Sequence, residues 1–503
     1  MKKLLKFLHT PMWLFLLLCL ILVLRIPSFF EPYSYGDEMI YLALGEAIRQ
    51  GVPLYSGIHD NKPPLLYILA AISGSLFWFK AILAIWNLIT IFVFWKLTET
   101  LFPKKEGLQK IATFIFAVLT TVPLFEGNIV NSELFMIGLT ILGFYLLLKN
   151  GKKRKKLTPK IIFTAGLLFS GATLFKIPAA FDVPAIIFLW IVSFKKYNSK
   201  NIKSLVKNSF VLCLGFSAPI LATFVWYFIK GAFSEYLVAA FLQNVGYLSS
   251  WRPDVVREPF LVKNAPLLAR TGIVAVGHVI LFVLRKKLSK AFIFSTSWLL
   301  LSLFAVTLSE RPYPHYLIQA IPTISILAAM LFSLQTYEQV LVIIPLTIAS
   351  IVPVYFNFWY YPTSSYYARF FNFATGALTK DDYLSSFGSS VIGNYKIANY
   401  IASITSRRDR VFVWGDGVQI YALSRRLPPI KYVADYHIKD FSSAEDIVAE
   451  LKNNLPEIII ILPGSHPPRE LISLIRQSYL QIETIENAQI WSLITPTARA
   501  KLL

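Results

Sequence analysis

Long apolar runs, each close to the length of a bilayer-crossing helix and each closed by a short polar segment, fill the first two thirds of the chain. The first spans 11–24. Others lie near 81–97, 111–127, 133–149, 161–176, 178–194, 206–229, 266–284, 291–308, 313–334 and 339–357. The pattern predicts an α-helical polytopic membrane protein with about eleven transmembrane helices. The basic start Met1-Lys2-Lys3-Leu4-Leu5-Lys6 suits a secretory signal, but the bulky Ile26-Pro27-Ser28-Phe29-Phe30 offers no small-residue cleavage site. The first run therefore reads as an uncleaved span with a cytoplasmic N-terminus.

After about residue 358 the period changes. Short strand-type runs at 410–415, 430–433 and 457–462 alternate with helical patterns at 417–424, 442–453 and 468–478. Alternation of this kind predicts a small α/β domain. The expected organisation is a transmembrane part over 1–357, a connector rich in Tyr, Ser and Phe over 358–390, and an α/β domain over 391–503.

Charge then orients the spans. Basic residues cluster in alternate loops: Lys104 and Lys105, the stretch 149–156, Lys195 to Lys207, and Arg285-Lys286-Lys287. The intervening segment 124–132 has no Lys or Arg. Cytoplasmic loops carry the excess of Lys and Arg, so these clusters face inward. The turn at 335–338, without a basic residue, is the exception. The alternation holds only if the semi-apolar run 65–79 does not cross and instead lies in the interface or re-enters. Residues 27–80 then form a first extracytoplasmic loop, and the odd number of spans puts the C-terminal domain outside a plasma membrane.

Composition narrows the class further. The chain has 503 residues, 55% hydrophobic and only 15% charged, against about a quarter charged in soluble proteins. The formal net charge of +21 would suggest nucleic acid on a soluble chain. Here the cations sit between apolar runs, so membrane orientation accounts for them and no nucleic-acid partner is expected. Cys19 and Cys213 both lie in apolar runs, so no disulfide framework is implied.

Candidate chemistry gathers in the first loop, which reads Tyr33-Ser34-Tyr35-Gly36-Asp37-Glu38, then His59-Asp60-Asn61-Lys62-Pro63-Pro64. Asp37 and Glu38 open a short amphipathic helix. Acids there also serve as ordinary capping and dipole partners. Glu133, after Asn131-Ser132, opens the next span re-entering from outside. It too has a helix-dipole account, yet two carboxylates at one membrane face could deprotonate an acceptor. Lys62, Lys176, Arg252, Arg257, Lys263 and Arg311 are expected outside, against the inside bias. Snorkelling to lipid phosphates explains Arg257 and Lys263 well. Lys62, fixed before two prolines, is better placed to neutralise a phosphate. Arg311-Pro312-Tyr313-Pro314-His315-Tyr316 opens another span from outside. A lone His is more often structural than catalytic. Asp182 lies within an apolar run, where a charge must face protein or water. Gly415-Asp416-Gly417 lacks the third glycine of a dinucleotide fingerprint and reads as a tight strand-to-helix turn.

Tyr-Gly-Asp37-Glu38 with its amphipathic helix, followed by Asp60-x-Lys62-Pro63-Pro64, resembles the protein O-mannosyltransferase superfamily, which includes the bacterial aminoarabinose-to-lipid A transferases. Glu133, Phe175-Lys176 and Arg311-x-Tyr-x-His315-Tyr316 resemble the same group, over roughly residues 10–335. The resemblance implies the glycosyltransferase C fold, a polyprenyl-phosphate sugar donor and a usually inverting mechanism. By position, Asp37 would be the general base with Glu38 alongside, and Glu133 the second acid. Lys62 and Arg311 would contact the donor phosphate, with Tyr35, His59, Asp60, His315 and Tyr316 as further site contacts. Some relatives carry Asp where this chain has Glu133. No cofactor is expected; relatives differ on metal dependence, and with no compact ligand cluster in the sequence no metal site is assigned, a divalent metal staying open. The acceptor, whether lipid, glycan or protein, does not transfer from the resemblance.

Two other readings stand beside this one. A transporter or flippase of lipid-linked sugars would place charges at the bilayer midplane, as Asp182 does, but would also tend to show internal repeats. A non-catalytic receptor would work through its α/β tail instead.

Overall fold

A computed structural model describes residues 10–152, 157–244 and 259–494. Among the described residues, eight helices are long and apolar enough to cross a membrane: Met12–Phe30, Leu76–Leu101, Ser132–Gly151, Ser199–Ile229, Ala265–Val283, Lys290–Thr307, Pro314–Ser333 and Glu338–Tyr355. The expected runs at 161–176 and 178–194 fall on two shorter apolar helices, Pro159–Phe175 and Ile177–Val192. The run at 111–127 falls on the 14-residue helix Glu106–Leu119, followed by a 3-10 turn at Pro123–Phe125. At 1.5 Å per residue that helix is about 21 Å long, short of a hydrocarbon core of about 30 Å. The chain is a multi-pass membrane protein.

The chain divides into two compact units. One comprises Met1–Ser28, Lys80–Phe233 and Ala240–Ser364; the other comprises Phe29–Phe79, Ser234–Ala239 and Ser365–Leu503.

In the helical unit, Pro159–Phe175 packs closely on Ser199–Ile229 through glycines. A Cβ on Gly166 would lie 2.4 Å from the Leu212 carbonyl oxygen, and one on Gly215 would lie 2.2 Å from that of Phe163. Small residues allow such backbone approach where lipid gives helices no hydrophobic reason to associate. Asp182 is buried here. It accepts from Ser302 Oγ at 2.8 Å and from Gln319 Nε2 at 3.2 Å, so its carboxyl faces protein and ties two helical segments together.

The second unit joins the first loop to the C-terminal residues. Helix Gly36–Arg49 lies against Leu65–Ser73, the two meeting where a Cβ on Gly45 would be 2.7 Å from the Ala70 backbone. Gly74, in the left-handed region, ends the second helix after nine residues, and a new helix starts at Leu76. The interfacial run expected over 65–79 is thus broken by a cap.

A four-stranded mixed sheet follows, with β1 Val411–Trp414, β2 Ile458–Ile461, β3 Tyr479–Ile485 and β4 Ala488–Leu493 in the order β1-β2-β4-β3. Strands β1 and β2 run parallel, in register Val411 with Ile458, and the other pairings are antiparallel. Helices Ala444–Asn453 and Arg469–Ser478 cover one face around Phe412, Ile459, Leu451 and Leu471. The run at 430–433 is not a strand. Ile430 and Tyr432 are buried in that core, while the Lys431 carbonyl accepts from the His59 N–H at 2.8 Å, a first-loop partner in place of a ladder. The connector is largely helical, with Thr363–Ala374 and Lys380–Ser385.

Candidate functional site

The close approach at Gly45 aligns two tyrosines, Tyr41 and Tyr67, with ring centroids 6.1 Å apart. Each holds a carboxylate. Tyr41 Oη, one helical turn after Asp37, donates to Asp37 Oδ2 at 3.0 Å, and Tyr67 Oη donates to Asp60 Oδ2 at 2.7 Å. Lys62 lies between them. Its Nζ is 3.5 Å from Asp60 Oδ2 and 5.0 Å from the centre of the Tyr41 ring. The Lys62 backbone is fixed at both ends, its N–H donating to Tyr67 Oη at 3.2 Å and its carbonyl accepting from Tyr55 Oη at 2.8 Å. Asp37 and Lys62 thus share one aromatic neighbour.

The two acids of the pair differ. Glu38 is buried and Asp37 half-buried, so Asp37 is the carboxylate open to an incoming group. Asp60 is fully buried. Burial alone would raise its pKa, but the Lys62 ammonium, His437 and Tyr67 outweigh that and hold the carboxyl well below the usual range. Asp60 therefore stays ionised and serves to fix Lys62, not to carry protons. His437, on helix Asp435–Phe441, places Nε2 3.4 Å from Asp60 Oδ1. His59 is buried edge-on against Tyr432, Phe441 and His437, a packing role beside the site. Tyr35 is half-buried at the N-cap of the Asp37 helix.

A second cluster lies in the helical unit. Glu133 and Lys176 form an ion pair, and the Lys176 Nζ sits 3.7 Å from the centre of the Tyr316 ring. His315 lies between two acids, Nδ1 2.5 Å from Glu126 Oε2 and Nε2 3.8 Å from Glu133 Oε1. Asn131 Nδ2 donates to the same Glu126 oxygen at 3.1 Å. Nearby, the buried Lys80 donates to the Asn128 carbonyl at 3.0 Å. The cleft beside Glu133, Lys176 and Tyr316 holds only about 20 Å³, room for about one water. Arg311 is half-buried after Glu310, whose φ is 54°, and its N–H donates to Ser309 Oγ at 3.4 Å. Arg252, Arg257 and the side chain of Lys263 lie outside the described residues.

Asp37, Asp60 and Lys62 are thus brought together in one unit, and Glu133, Lys176, His315 and Tyr316 in the other. Sequence reasoning missed Tyr41, Tyr67, Glu126 and His437. Tyr41 had a signal, its i+4 spacing from Asp37. His437 had none, being far away along the chain. Among the described residues, no group of three His, Cys, Asp or Glu side chains is placed to hold a metal ion.

The same architecture occurs in ArnT from Cupriavidus metallidurans bound to undecaprenyl phosphate. The match covers 97% of this chain and 99% of that one, at 12% identity and a TM-score of 0.56. The apo form of ArnT matches over 95% and 97%, at 12% identity and a TM-score of 0.53. The chain has the glycosyltransferase C fold. The fold that the first-loop motifs implied is therefore present. Within this glycosyltransferase C fold, residues 393–492, which hold all but the last residue of the mixed sheet, match the family described as "Putative competence-induced protein Ccs4 C-terminal domain". No curated protein matches the chain in sequence.

Proposed function

We propose that this protein is a membrane glycosyltransferase that moves a sugar from a polyprenyl-phosphate donor to a lipid, glycan or protein acceptor at the extracytoplasmic face. The observation that carries the reading is the shared Tyr41. It hydrogen-bonds the Asp37 carboxylate and lies under the Lys62 ammonium, so the proposed base and the proposed phosphate-binding cation share one tyrosine. The same fold in a structure bound to undecaprenyl phosphate supports a lipid-linked donor.

In the proposed reaction, Asp37 takes the proton of an acceptor hydroxyl as its oxygen attacks the anomeric carbon. The bond from that carbon to the phosphate oxygen breaks, and polyprenyl phosphate leaves. Attack opposite the leaving group inverts the anomeric centre. A positioned base contributes about 10²–10⁴-fold. Lys62, held by Asp60, meets the phosphate charge that grows as the bond breaks. Glu38 is an accompanying acid in this reading, and Arg311 and Glu133, in the other unit, take no step in it.

The test uses the purified full chain in nanodiscs with a synthetic polyprenyl-phosphate sugar and reads release of polyprenyl phosphate. Full turnover by Asp37→Asn removes Asp37 as base. Movement of the intact donor across liposomes without bond cleavage replaces the transferase reading by transport.

A further inference from the structure

A large cleft lined by none of Asp37, Asp60 and Lys62 lies at the carboxyl ends of the two parallel strands. Its volume is about 1020 Å³, at the top of the usual range of about 300–1,000 Å³ for small-molecule sites. Its floor is the turn after β1, Trp414-Gly415-Asp416, and the turn after β2, ending in Ser465-His466. Carboxyl ends of parallel strands are where open α/β sheets receive ligands, because the chain leaves the sheet there in turns that expose backbone groups. Gly415 has φ 114°, a value closed to other residues, and its Cβ position lies 3.1 Å from Leu462 and 3.2 Å from Ser465. A glycine is required for the two turns to form this floor together.

The lining charge selects the ligand. Four carboxylates, on Asp381, Asp416, Asp435 and Glu486, face two lysines, Lys396 and Lys439. Both lysines are already paired: Lys396 Nζ is 2.6 Å from Glu486 Oε1, and Lys439 Nζ is 2.5 Å from Asp435 Oδ2. The exposed Asp381 and Asp416 remain in excess, so the cleft repels phosphates and other anions. Carboxylates and paired lysines suit hydroxyl groups, which donate to the first and accept from the second. The half-buried Trp414 offers an apolar surface among these polar groups.

We infer that this cleft is a saccharide-binding site for neutral or amine-bearing sugars. The inference is independent of the transferase reading, since binding here requires neither Asp37 nor Lys62.

Three trisaccharides of one size test it by ligand-observed saturation-transfer NMR, with the full chain in nanodiscs: the trimers of N-acetylglucosamine, glucosamine and galacturonic acid. The expected result is binding of the neutral and cationic trimers, the cationic one at least threefold tighter, with no signal from the anionic one. Asp381→Asn with Asp416→Asn, both at exposed positions, should erase the preference for the amine while leaving the thermal unfolding midpoint unchanged. Trp414→Ala should abolish binding. Because Trp414 also touches the core, the double Asn variant carries the test if Trp414→Ala does not fold. Absence of binding by all three trimers overturns the proposal. So does binding of the anionic trimer, or a charge preference that the double variant leaves intact.

Discussion

His437 Nε2 stands 3.4 Å from Asp60 Oδ1, so a helix near the end of the chain touches the acid that holds Lys62 in the first loop. Asp60 is fully buried, and its oxygens are divided among Lys62, Tyr67, His437 and the Asn61 N–H. Each partner taken away leaves a buried anion less well compensated.

The first prediction concerns His437 as a positioning residue. Leaving a buried acceptor under-satisfied costs about 1–3 kcal/mol. His437→Ala should raise the donor KM about tenfold with a smaller change in kcat, because Lys62 loses its fixed counterpart. His437→Gln, which can still donate to Asp60, should recover most of the loss. A kcat collapse at constant KM would argue against positioning.

Asp37 and Tyr41 should separate in kinetics. Asp37→Asn keeps the shape and removes the base, so turnover should fall by about 10²–10⁴. Tyr41→Phe keeps the ring under Lys62 and removes one hydrogen bond to the base, worth about 0.5–1.5 kcal/mol. Its turnover should fall by no more than about tenfold. Initial rates of polyprenyl phosphate release check both.

Acid stability follows from Asp60. Its carboxyl is held below its ordinary value in the folded chain, so ionisation stabilises the fold above about pH 4, the unfolded value. That contribution is lost as pH falls toward the folded pKa. Lys62→Met removes the main opposing charge and leaves only His437 and Tyr67 against burial, which raises the folded pKa. Acid unfolding followed by tryptophan fluorescence should then begin at higher pH than in the parent chain. An unchanged acid profile would mean that Lys62 does not set the state of Asp60.

Helix packing gives a prediction independent of chemistry. Gly215→Ala puts a methyl group 2.2 Å from the Phe163 carbonyl oxygen, so the helices Pro159–Phe175 and Ser199–Ile229 must part. Overpacking of this kind costs about 1–3 kcal/mol. A lower thermal unfolding midpoint in nanodiscs is expected, whereas Gly107→Ala, with nothing within 4 Å, should change it little.

Long-range apolar runs and residue spacing were legible in the sequence. Runs of about twenty apolar residues produce helices wherever they occur, and Val411–Trp414 and Ile458–Ile461 form strands because short β-branched runs fit a buried parallel pair. The hairpin of β3 and β4 was not legible. β3 is mostly solvent-exposed, and its turn uses Glu486 and Asn487 at φ 49° and 63°, positions where Asn-Gly would have signalled a hairpin. The strand expected at 430–433 failed for the opposite reason. Its apolar side chains found a core, but its backbone found His59, a partner almost four hundred residues earlier. The candidate site was legible as far as single loops go. Asp37, Asp60 and Lys62 are near in sequence, while Glu126 facing His315 and His437 facing Asp60 depend on chain crossings that no local pattern records.

The pairing of Phe29–Phe79 with residues from Ser365 onward has a consequence for biosynthesis. A ribosome adds about 5–20 residues per second, so roughly 15–60 s of synthesis separates the first loop from the segment it folds against. During that interval helix Gly36–Arg49 and the Lys62 loop lack their final packing, so the nascent chain gains a finished Lys62 environment only once the segment around His437 has been made.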